Sequence, residues 1–212
     1  LSTAANLDGM YYKPRIDREI LEKYNEGIIV LSACAGGEVG ERLRAGDYEA
    51  ARDAAKWYQS VFGDRYYLEI QDHNEWDVQR TINQGVFKLA KELGIECVVT
   101  SDAHYVEPSD QEAHEILLCV GTGAFLADED RMSLKDFHLH VTDPQEVIDR
   151  WGMEHPDIIK NTKAIADRCN VELEFGKILI PHFPVPQGET EKTYLHKLVW
   201  QGLVQRYAGI GR

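Results

Sequence analysis

The stretch Gly94-Ile-Glu-Cys-Val-Val-Thr-Ser-Asp-Ala-His104 decides the reading of the fold. Ile95 to Thr100 is a short apolar run, rich in β-branched residues and entered through a glycine. It reads as a fully buried strand of the kind found in parallel sheets. The apolar character stops there, and Ser101, Asp102 and His104 follow. Side chains two apart in an extended chain point the same way. Asp102 and His104 are therefore predicted to project together from the C-terminal end of the strand. Open α/β sheets and barrels build their sites at that end. A carboxylate and an imidazole aimed at one point make half of a metal site. A plainer reading has Asp102 capping the next helix and His104 hydrogen-bonding within a loop.

Outward toward the N-terminus, Trp76 to Leu93 is an amphipathic helix, with Val78, Ile82, Val86, Leu89, Ala90 and Leu93 at helical spacing and Gly94 as its stop. Tyr66–Ile70 is a second strand, ending in Gln71-Asp-His73. Asp47 starts a helix from Tyr48 to Phe62. Ile28–Leu31 is a third strand, with Ser32-Ala-Cys34 at its end and a Gly36-Gly37 turn into the next helix. Asp17 is predicted to cap a helix through Tyr24, ended by Gly27, and Tyr11–Asp17 reads as a loop. Strands alternate with helices over short connections, which is the pattern of a parallel α/β fold. Under that topology three strand ends share one rim. They carry Cys34, then Glu69, Asp72 and His73, then Asp102 and His104. Thiolate, imidazole and carboxylate together suit zinc, manganese or iron. Taken singly, Cys34 also reads as a small buried residue.

Toward the C-terminus, Pro108-Ser-Asp110 starts a helix to about Val120 with Ile116, Leu117 and Val120 as its packed face. On it His114 is a packing or surface residue. Residues 124–136 read as a loop and Phe137–His140 as a short strand, with His138 and His140 as ordinary strand residues. Helices follow over Asp143–Trp151 and Asp157–Cys169. The 179–188 stretch, with Pro181, Pro184 and Pro186, reads as an extended linker before a helix over Thr190–Tyr207. Trp57, Trp76 and Trp200 read as helix-packing residues. The Lys13, Arg15, Arg18 cluster reads as a solvated face.

A chain of 212 residues that is 43% hydrophobic and 28% charged can bury a core. Its net charge of −13 excludes a general basic face for nucleic acid. The four cysteines lack CxxC pairing. Cys97 and Cys119 lie inside apolar runs, a usage that suits a reducing cytoplasm. No signal peptide or membrane span is legible. The chain starts at Leu1 without a methionine and ends just past a helix, which reads as a piece of something longer.

Several ordered stretches carry a resemblance. They are Leu31-Ser-Ala-Cys34 with Gly37-Glu38, Tyr67-Leu-Glu-Ile-Gln-Asp-His73, Thr100-Ser-Asp-Ala-His-Tyr105, and His114-Glu-Ile-Leu-Leu-Cys119 with Thr122-Gly123. Asn161-Thr, Cys169-Asn-Val, Phe183-Pro-Val-Pro and Tyr194-Leu continue the series. Together they resemble the N-terminal PHP (polymerase and histidinol phosphatase) domain of the bacterial replicative DNA polymerase III α-subunit family, over nearly the whole chain. The resemblance implies an α/β fold: an incomplete, distorted (β/α)7 barrel lacking its first strands, with a C-terminal helical extension. It implies residues 1–180 as the C-terminal part of a PHP domain, 181–189 as a Pro-rich linker, and 190–212 as the start of the polymerase region.

The same resemblance implies a divalent metal (Zn, Mn or Mg) at the rim of the intact domain. Cys34, Asp102 and His104 match family ligands, and Glu69 and His73 lie behind them. The remaining ligands are expected upstream of Leu1 and the polymerase acidic cluster downstream of Arg212, so occupancy in this chain is expected to be absent or partial. The implied function is DNA replication. The domain then serves as a metal-dependent 3′–5′ exonuclease or as a structural platform, and the piece itself is expected to be inert. Implied partners are DNA, dNTPs, replicase subunits and a proofreading exonuclease, with no membrane, and the exposed sheet edge is expected to drive self-association. A free-standing phosphoesterase such as a histidinol phosphatase is the competing reading. It would need its own His-x-His near the N-terminus. A non-catalytic interaction module is the third.

Overall fold

A computed structural model describes residues 1–178 and 180–207. The chain divides into two compact units, 1–170 and 171–212.

The first unit is organised on a three-stranded parallel sheet in the order β3-β4-β5, with β3 at Val30–Leu31, β4 at Tyr66–Gln71 and β5 at Cys97–Thr100. Register pairs Leu31 with Tyr67, Leu68 with Cys97 and Ile70 with Val99. One sheet face, carrying Leu68, Ile70, Cys97 and Val99, packs into the hydrophobic core. The other carries Tyr67, Glu69, Gln71 and Thr100, because side chains alternate along each strand. All three strands run the same way, so their C-terminal ends lie on one rim, as the alternation of elements predicted. The parallel α/β class is established. The described residues hold three of its strands.

Helices α3 (Glu38–Arg44), α4 (Tyr48–Phe62) and α5 (Asp77–Leu93) supply the core-facing layer. Helix α4 starts where expected, with Asp47 accepting from the Ala50 amide. It buries Ala51, Ala54, Ala55 and Phe62, small residues that let the helix approach its neighbours closely. Helix α5 ends at Gly94 in the left-handed conformation, φ +66°. The turn from β3 into α3 is tight. A Cβ on Gly37 would meet the Ser32 carbonyl at 2.5 Å, and one on Gly40 the Cys34 carbonyl at 2.5 Å. The close approach belongs to Gly37 and Gly40 rather than to the Gly36-Gly37 pair.

Beyond β5 lie α6 (Gln111–Thr122), α7 (Pro144–Trp151) and α8 (Pro156–Arg168). Asp143 caps α7 through the Gln145 amide. Ile158 of α8 is fully buried, and Asn161 donates to the Cys97 carbonyl on the outer edge of β5. Several sequence expectations need correction. Tyr11–Asp17 is not all loop: β1 (Met10–Tyr11) and β2 (Lys13–Pro14) form a small antiparallel pair after α1 (Ser2–Leu7). Helix α2 (Arg18–Lys23) is capped by Asp17 as expected but ends at Tyr24, before Gly27. Residues 137–140 form one bridge, Tyr105 to His140, not a strand. Helix α6 exposes Ile116, Leu117 and Val120 and buries Glu115 and Cys119 instead.

The second unit contains α9 (Glu191–Tyr207), and the described residues before it in this unit hold no helix or strand. Phe183 stacks on Tyr194 at 6.2 Å. Trp200 is 56% exposed and is not a packing residue of this helix. Leu179, where the expected linker begins, and 208–212, the end of the expected polymerase stretch, lie outside the described residues.

Candidate functional site: the rim of the parallel sheet

Backbone strain gathers at this rim. Ala33, just past β3, has φ +63°, and Asp102, just past β5, has φ +46°. Left-handed conformations cost a non-glycine residue roughly 1 kcal/mol and persist where surrounding structure enforces them. Between these two ends stands Glu69, on the non-core face of β4. Its carboxylate accepts from the Thr100 hydroxyl at 2.5 Å, and its amide donates to the Ser32 hydroxyl at 2.8 Å. Burial pushes the Glu69 carboxyl above the usual carboxylate range. Hydrogen bonds from Thr100 and the Ala33 amide pull the other way, and nearby Asp102 adds to the rise. Glu69 thus ties all three strand ends together.

Asp102 and His104 come together as predicted, though not carboxylate to ring. His104 Nδ1 lies 2.7 Å from the Asp102 carbonyl and 3.9 Å from its Oδ1. A carbonyl can only accept, so Nδ1 carries a proton and Nε2 points away from this contact. The His104 amide donates to the Leu139 carbonyl at 2.7 Å, which places the 137–140 segment over the rim. His114, on the first turns of α6, packs edge-on against His104 at 5.4 Å and lies the same distance from Tyr105. The sequence alone reads His114 as a packing or surface residue. Its place beside His104 follows from the short Pro108–Asp110 turn that folds α6 back onto the strand end.

His73 is 3% exposed, and neither ring nitrogen has a hydrogen-bond partner. Burial holds its imidazole below the usual histidine range, against the pull of Glu75, Asp102 and Asp72, so it is neutral at pH 7. Asp72, also buried, accepts from Trp151 Nε1 at 2.8 Å. Arg150 stands 3.0 Å from its other oxygen, as an ion pair without hydrogen-bond alignment. This pair anchors α7 to the end of β4. Beside the rim, a groove of about 780 Å³ runs between the end of β5 and helices α7 and α8, lined by Val99 to Asp102 and by Val147, Ile148, Ile159 and Lys163.

Cys34 is half-buried on the same rim. Its sulfur lies 3.5 Å from the Gly36 amide, within the turn. Among the described residues no three His, Cys, Asp or Glu side chains stand in a metal-holding arrangement. Cys34 therefore does not complete a triad with Asp102 and His104. The donor chemistry suits a divalent metal, but the chain's own residues do not fit one as a centre, and no chemical step is assigned to it. Cys97 and Cys119 are buried, and burial first of all pushes the Cys97 thiol up to about 12, which keeps it protonated and inert. No helix among the described residues is long and apolar enough to cross a membrane.

The sequence profile of the PHP domain matches residues 1–73, which contain β3, β4 and the first half of this rim. The class is thus an α/β protein whose first 73 residues are similar to a PHP domain. The chain is 41% identical over 98% of its length to DNA polymerase III subunit alpha of Deinococcus radiodurans, covering 16% of that protein. It is 38% identical to the Thermus aquaticus protein of that name and 34% identical to that of Borreliella burgdorferi, over 98% and 99% of this chain and 17% and 18% of those proteins. The chain is thus similar over nearly its whole length to DNA polymerase III α subunits, and it spans about a sixth of the length of these relatives.

Proposed function

We propose that this chain is part of the PHP domain of a bacterial replicative DNA polymerase and acts there as a structural platform. DNA-directed nucleotidyl transfer, with DNA and dNTPs as substrates, belongs to other parts of that protein, working in the cytoplasm with the other replicase subunits. The observation that carries the reading is identity of 34–41% across nearly the whole chain to proteins named DNA polymerase III subunit alpha. On this reading the three-stranded sheet is a sector of a distorted (β/α)7 barrel, 1–180 belong to the PHP domain, 181–189 link, and 190–212 begin the polymerase region. Cys34, Asp102 and His104 line the mouth where the intact domain would hold a divalent metal (Zn, Mn or Mg), with Glu69 and His73 positioning them. Other ligands would have to complete the set.

The experiment is a replacement. The homologous segment of the D. radiodurans subunit is exchanged for this chain, and primer extension is measured. Extension within a few-fold of the parent is expected. A soluble chimera that cannot extend primers contradicts the platform reading.

A second reading, a metal-dependent 3′–5′ exonuclease, is favoured by the strained Asp102 beside a His104 whose Nδ1 is held by the Asp102 carbonyl. The purified chain is expected to leave a single-stranded primer intact in Mn²⁺ or Zn²⁺. Trimming that an Asp102→Ala variant abolishes would replace the platform by a nuclease.

A further inference from the structure

Helix α6 is turned inside out relative to its sequence. Ile116, Leu117 and Val120 are 47%, 65% and 75% exposed, while Glu115 is buried. The rotation is fixed chemically. The Glu115 carboxylate accepts from Arg131 Nη1 at 2.7 Å, the Ser133 hydroxyl at 2.7 Å and the Leu134 amide at 2.8 Å. A buried carboxylate with three donors cannot rotate outward without breaking all of them. The apolar residues are thus held toward solvent. Phe125 and Leu126, just after the helix, add 76% and 55% exposed apolar side chains. An apolar surface of this kind on a folded unit marks an interaction site.

Its charge selects the partner. Glu107, Glu112, Asp128, Glu129 and Asp130 are exposed in the same segment, and the one Lys or Arg between residues 107 and 134 is Arg131, engaged by Glu115. A second copy would bring the same acidic residues against themselves.

We propose that the outward face of α6, with Phe125 and Leu126, docks a partner protein through an amphipathic helix whose apolar stripe is flanked by lysine or arginine. The spacing of Ile116, Leu117 and Val120 offers one helical stripe for another to lie along. The acidic flank gives orientation and a salt-sensitive association rate.

The test uses a labelled helical peptide of leucine and lysine at amphipathic spacing, and its leucine–glutamate counterpart, titrated against the chain by fluorescence anisotropy. The lysine peptide binds, more weakly as salt rises, and the glutamate peptide does not. Leu117→Ser with Val120→Ser weakens binding by about tenfold or more. Phe125→Ser alone weakens it in the same direction, and Met153→Ser, at an isolated exposed position, leaves it unchanged. Equal binding of both peptides, or unchanged binding by the double variant and by Phe125→Ser, overturns the proposal. So does sedimentation showing a dimer that the double variant dissociates, which would assign the face to a second copy.

Discussion

Glu115 and Glu69 are both withdrawn from water, and they respond to pH in opposite senses. Burial alone would raise the Glu115 carboxyl, but its hydrogen bonds and the Arg131 charge outweigh that and bring it to about 2. Its unfolded value is about 4.3. A depressed carboxyl contributes stability that is complete above the unfolded value and is lost as pH falls toward the folded one. Glu115→Gln is therefore expected to lower unfolding free energy by about 1–3 kcal/mol at pH 7. The loss should shrink as pH falls from about 4.3 toward 2. Denaturant titrations across that range check it, and a variant as stable as the parent at pH 7 would contradict it. Glu69 is raised instead, so its ionised form weakens the fold as pH rises through the unfolded value. Glu69→Gln keeps one oxygen to accept from Thr100 and removes the charge. It is expected to be neutral or stabilising at pH 7 and without effect near pH 4. A loss above about 1 kcal/mol at pH 7 would show the ionised carboxylate to be needed.

At this scale the Asp102–His104 pair was legible because strand period and strand end were both visible in the sequence. The bond from His104 to the Asp102 carbonyl was not, nor was the positive φ at Ala33 and Asp102. Those depend on how the chain turns after each strand, which composition does not encode. The burial of Glu115 was equally hidden. Its partners lie 16 to 19 residues away in a loop with no periodicity.

Elements were read best where both ends carried a chemical signal. Helix α4 has Asp47 before it and Gly63 after it, and α5 ends at Gly94. The short strands were read less well. β3 has two paired residues where four apolar ones were expected, since pairing depends on a neighbour rather than on hydrophobicity. Helix α6 misled most, because an apolar stripe predicts the buried face only when a core lies opposite it. The junction of β3 and α3 gives a sharp test. Gly40→Ala would place a methyl 2.5 Å from the Cys34 carbonyl and is expected to cost about 1–3 kcal/mol. Gly36→Ala meets only the Cys34 sulfur, at 3.8 Å, and is expected to be tolerated. Equal melting temperatures for the two variants would contradict this packing. Trp151→Phe removes the indole donor to buried Asp72 and is expected to cost about 1–3 kcal/mol.

For the whole molecule, the described sheet of three strands has two edges: α8 packs along β5, and β3 pairs with no described strand on its outer side. Unpaired edges invite pairing with another chain, so concentration-dependent self-association is expected by gel filtration, and a strict monomer at all concentrations would count against it. The rim itself makes the central claim. Parallel topology brings three strand ends to one side, yet of the three proposed ligands Asp102 and His104 lie 3.9 Å apart, while the Cys34 sulfur sits against the Gly36 amide and joins no group of three donors among the described residues. Cobalt(II) titration of the purified chain, followed in the ultraviolet, tests this most directly, because a bound thiolate gives a charge-transfer band. The account predicts weak binding with no such band. Stoichiometric binding with a thiolate band that Cys34→Ser removes would contradict it.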